Sequence, residues 1–69
     1  MVNLLDIASR MEDGERFMVK FQLASKGKLD IMTSKLLDVV EEKNRIFVHD
    51  GKGIIWIDMS EVMDIFPEE

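Results

Sequence analysis

Phe17, Val19, Phe21 and Leu23 alternate with Arg16, Met18, Lys20 and Gln22. A period of two puts the first set on one face of a strand and the second on the other, so residues 16–24 read as a half-buried β-strand. Ser25-Lys26-Gly27-Lys28 follows with tight-turn chemistry, which calls for a second strand running antiparallel to the first. Leu29 and Ile31 continue the alternation. Asp50-Gly51-Lys52-Gly53 is a second strong hairpin signal, placed between the strands Arg45–His49 and Ile54–Met59. Ser60-Glu61 begins a short turn, and Met63, Ile65 and Phe66 make a last strand.

Residues 33–43 admit two readings. Leu37 and Val39 keep the phase of Leu29 and Ile31, whereas Met32, Leu36 and Val40 also fit a helical spacing that Thr33 or Ser34 would cap. The β-branched pair Val39-Val40 favours a long, bent strand. Residues 3–12 have a helical pattern, with Leu4, Ile7, Ala8 and Met11 on one stripe. Asn3 is the N-cap, Asp6 completes a capping-box pattern and Gly14 is the stop.

The chain has 69 residues, so it forms one domain, residues 1–69. It has no cysteine and a single histidine. Disulfides, thiolate metal sites and cysteine nucleophiles are therefore excluded. A core of this size is marginal by itself, which makes self-association into a homo-oligomer the expected supplement. The longest apolar run, Ile54-Ile55-Trp56-Ile57, is far too short to span a membrane. The N-terminus carries no secretion-signal pattern, and the expectation is a cytoplasmic protein without membrane association.

The residue inventory argues against catalysis and against a cofactor. Asp50-Gly51-Lys52-Gly53 is followed by a strand, not by the Ser/Thr and helix of a phosphate loop. A calcium loop through Asp50 and Gly53 would place Val48 and Met59 at its first and last ligand positions, and neither can serve. His49 and Asp50 are adjacent on a strand and so face opposite ways. Asp58, Glu61 and Asp64, spaced by three, form a solvated face or a hard-cation site, the former being the commoner use of such a run. The expectation is a non-enzyme with neither metal nor cofactor.

Two surfaces stand out. Ile55 and Ile57 face the core by phase, so Ile54 and Trp56 face outward, and Phe47 on the neighbouring strand does the same. Such a patch is either a contact surface or a seat for the N-terminal helix. The contact reading makes Phe47, Ile54 and Trp56 partner-binding residues, with Asp58 and Asp64 as the acids beside them. The other surface is a basic stripe on the first hairpin: Arg16, Lys20, Lys26, Lys28 and Lys35. Phosphates or an acidic partner would use it. The net charge is −5, and residues 53–69 carry five acids and no base, so nucleic-acid binding is expected to be weak.

A helix followed by five short antiparallel strands is the order of a small Sm-like or SH3-like barrel. Lys28-Leu29, Ser34, Leu36, Lys43-Asn44, Gly53 and Met63-Asp64-Ile65 resemble the Sm-like proteins, and within them the Rho-binding antiterminator family. That resemblance covers roughly residues 4–66. It implies a mostly β fold, and it implies inhibition of transcription termination through contact with the Rho hexamer. In Sm-like proteins subunits join through their last two strands. The RNA-binding signature of the related host-factor chaperones is absent, since Asp58 to Phe66 holds no base. The functional expectation is a non-catalytic regulatory module that binds a protein partner, such as a termination factor. An Sm-like RNA-binding oligomer is the alternative.

Overall fold

The computed structural model describes residues 3–25 and 27–68. The order is α1 (Leu4–Glu12), β1 (Phe17–Ser25), β2 (Lys28–Val40), a 3-10 turn (Glu41–Lys43), β3 (Arg45–His49), β4 (Ile54–Asp58), a 3-10 turn (Met59–Glu61) and β5 (Val62–Pro67). The strands form one antiparallel sheet in the order β4-β3-β2-β1-β5. This is the mostly β domain the sequence calls for, with one refinement. Hydrogen bonds do not close the sheet into a barrel, and β4 and β5 each remain an edge strand with a single neighbour.

Helix α1 is bounded by local chemistry. The Asn3 side-chain oxygen accepts from the backbone N–H of Leu5 at 3.0 Å and of Asp6 at 3.4 Å, satisfying donors that the first turn leaves orphaned. At the other end the Gly14 N–H donates to the Met11 carbonyl and the Glu15 N–H to the Arg10 carbonyl, a Schellman arrangement that places Gly14 at φ +95°. Arg10 pairs with the Glu15 carboxylate and lies 5.0 Å from the centre of the Phe17 ring, tying the helix end to the start of β1. The hydrogen bond from Arg10 holds the Glu15 carboxyl below the ordinary carboxylate range. Leu4 and Ile7 are buried, with Ala8 and Met11 half-buried on the same stripe.

Strand β2 is 13 residues long and runs through the ambiguous stretch as a bent strand up to Val40. Its first half pairs with β1 and its second half with β3. Its buried phase is opposite to the one carried by Leu29 and Ile31. The hairpin closes with Ser25 opposite Lys28, so Ala24 faces Leu29 and Gln22 faces Ile31, while Phe21 faces Met32. Leu29 and Ile31 therefore share the outward side of β1 and are 68% and 58% exposed. Met32, Ser34 and Leu36 point inward. Leu36 stands opposite Val48 and Asp38 opposite Phe47, so Leu37 is the extra residue of a β-bulge and is exposed. Beyond the bulge the phase changes, and Val39 faces buried Ile46. A second bulge on β5 leaves Met63 exposed between Val62, opposite Phe21, and Asp64, opposite Lys20.

The core consists of Leu4, Ile7, Phe17, Val19, Phe21, Leu36, Ile46, Val48 and Ile57. Among the described residues no polar or charged side chain is buried with them. The core sits between α1 and one side of the sheet, and the opposite side of β3 and β4 carries the exposed Ile54 and Trp56.

Candidate interaction surface on β3 and β4

Strands β3 and β4 are joined by the turn His49–Gly53, whose geometry sets their register. The Asp50 N–H donates to the Gly53 carbonyl at 3.1 Å. The Asp50 carboxylate accepts from the N–H of Lys52 at 2.8 Å and of Gly53 at 3.0 Å. These two donors hold the Asp50 carboxyl below its ordinary range. Gly51 takes φ +95° and donates its N–H to His49 Nδ1 at 3.0 Å. The His49 and Asp50 side chains each bond to turn backbone, and Asp50 lies in the turn beyond the end of β3.

That register places Phe47 directly across from Trp56, His49 across from Ile54, and Arg45 across from Asp58. All six lie on the outward side, because Ile46, Val48 and Ile57 fill the inward one. Ile54 is 67% exposed and Trp56 is 54% exposed. Helix α1 does not cover them; its apolar stripe is used over the core. Phe47 on β3 and Ile54 and Trp56 on β4 are thus brought together, beside the far edge of β4, which has no hydrogen-bonded neighbour.

The structure adds a residue that the sequence analysis does not place in the patch. The guanidinium of Arg45 lies 4.1 Å from the centre of the Trp56 ring, well inside the range of a cation–π contact. Arg45 Nε is buried without a hydrogen-bond partner, so stacking on the indole positions the head group. The contact is diagonal across the strand pair, a neighbour relation that becomes visible only once the register is known.

The acids divide. Asp58 flanks the patch opposite Arg45, and its carboxylate accepts from the Ser60 N–H at 3.0 Å, capping the 3-10 turn. Asp64 lies on β5, across from Lys20, at the other end of the strand order. Among the described residues no three histidine, aspartate or glutamate side chains are grouped so as to hold a metal ion.

The basic stripe is interrupted. Lys20 faces Asp64 across β1 and β5, and Lys35 Nζ lies 3.8 Å from the Glu68 carboxylate. Exposed Leu29 and Ile31 stand between Lys20 and Lys28 on the hairpin. Arg16 is exposed at the start of β1, and Lys26 falls outside the described residues.

No helix among the described residues is long and apolar enough to cross a membrane. Comparison with family profiles, with curated proteins and with solved structures yields no match to this chain.

Proposed function

We propose that this protein is a non-catalytic interaction module, acting in the cytoplasm, whose working surface is the outward side of β3 and β4. The observation that carries the reading is Trp56, more than half exposed beside Ile54 on an edge strand. A tryptophan flanked by Phe47 and held by Arg45 is a rigid aromatic anchor of the kind that dominates binding energy at protein contacts. An unpaired strand edge next to it offers backbone donors and acceptors to a second chain.

The first partner this surface suits is another copy of the chain. A small core without disulfides gains from burying more apolar area. The sheet has two free edges, β4 and β5, and pairing one copy's β4 with the next copy's β5 removes both. The resemblance to Sm-like proteins, whose subunits join through their last two strands, points the same way. The resemblance to Rho-binding antiterminators suggests the regulatory target: transcription-termination machinery, engaged by contact alone and without a cofactor.

RNA binding is the competing reading, and the interrupted basic stripe weighs against it. Light scattering on wild type and Trp56→Ala tests the proposal. The wild type is expected to form oligomers that Trp56→Ala weakens. A wild type that stays monomeric at high micromolar concentration would rule the interface out.

A further inference from the structure

The cleft between α1 and the end of β2 is a second unfilled surface. Ala8 and Met11 form one wall and Val39 and Val40 the other, all four half-buried, around a space of about 410 Å³. Helix α1 buries Leu4 and Ile7 in the core at its N-terminal end. Further along it presents Ala8 and Met11, both half-buried, to the cleft. The opposite wall lies between the bulge at Leu37 and the 3-10 turn Glu41–Lys43.

The rim is uniform in sign. Glu12 from α1 and Asp38, Glu41 and Glu42 from the end of β2 and its turn edge the cleft, and no base lines it. All four carboxylates are exposed, and none joins an ion pair among the described residues. A cleft with four half-buried apolar residues among four exposed carboxylates, none in an ion pair among the described residues, repels nucleic acid and acidic peptides. It complements a segment that carries an apolar anchor flanked by Lys or Arg. We propose that the α1–β2 cleft docks a basic amphipathic segment of a partner protein. This goes beyond the β3–β4 reading, because no residue lining the cleft lies on either of those strands.

A helical leucine–lysine peptide is the probe, with an all-lysine peptide of equal charge and a leucine–glutamate peptide as controls. Binding to the full chain is followed by calorimetry and by NMR shift mapping. The leucine–lysine peptide is expected to bind, with shifts centred on Ala8, Met11, Val39 and Val40, and the two controls far more weakly. Glu41→Gln combined with Glu42→Gln, both at exposed positions, should weaken binding about tenfold, equivalent to about 1.4 kcal/mol. Ala8→Leu fills the cleft without changing its charge and should also weaken binding, while Trp56→Ala leaves it unchanged. Thermal melts confirm that each variant is folded. Equal binding of the all-lysine peptide, shifts centred on Trp56, or indifference to both the charge variant and Ala8→Leu would each overturn the proposal.

Discussion

Gly51 sits at the tip of the β3–β4 hairpin at φ +95°, with open space where a Cβ would stand. A substitution there costs backbone strain and nothing else. Gly51→Ala is expected to lower stability by about 1–2 kcal/mol, read from the midpoint of a urea melt; an unchanged midpoint would contradict the strained geometry. Beside it, Asp50 gives the molecule an acid-sensitive turn. Its folded-state carboxyl titrates below the ordinary range because the N–H groups of Lys52 and Gly53 favour the charged form. The stability it contributes is therefore complete above the ordinary carboxylate range and is lost as pH falls through the lowered value. Asp50→Asn should be less stable than wild type at neutral pH, and the gap should close on acidification. A gap that is constant with pH would show that the charge plays no part. The turn chemistry of Asp50 and Gly51 was legible in the sequence, since both act within four residues of chain. The stacking of Arg45 on Trp56 was not, because it depends on a register that sequence spacing does not state.

At the scale of elements, the helix and the hairpins are readable from local patterns, because caps and stops act over a few residues. Over residues 33–43 only the β-branched pair Val39-Val40 favours the strand over a helix. The orientation of β2 is not readable in this way. Leu29 and Ile31 look like core residues, yet the hairpin register sets them against Ala24 and Gln22, on the outward side. The bulge at Leu37 then changes the phase, so no single alternation describes the strand. Two substitutions distinguish the sides. Ile31→Lys should change stability by no more than about 0.5 kcal/mol, as for an exposed position. Leu36→Ala should cost about 2–5 kcal/mol, as for a buried one. Chemical denaturation of both variants checks this, and a large loss at Ile31 would mean that its face is covered in solution. That outcome would locate a second apolar contact on the β1–β2 hairpin, where Leu29 and Ile31 are exposed.

For the whole molecule, charge and shape argue together. The chain is acidic overall, and Asp64 and Glu68 stand against two of the bases that could have formed a cationic face. Binding of an RNA oligonucleotide, measured by fluorescence anisotropy, should be weak and fall steeply between low and physiological salt. Tight binding at physiological salt that survives neutralising Lys20 and Lys35 would move the account to a nucleic-acid function. The sheet keeps two free edges, and its most exposed aromatic lies on one of them. Open edges are a liability that folds of this kind cover, charge or pair, and the proposed self-association would pair this one, with Trp56 at the contact. Trp56 is the only tryptophan in the chain, so its emission reports directly on that surface. Fluorescence spectra recorded over a dilution series, alongside solution mass, give the test. Self-association through Trp56 predicts water-exposed emission at low concentration, shifting to the blue as mass rises. Emission that stays at its water-exposed position up to high micromolar concentration would contradict it.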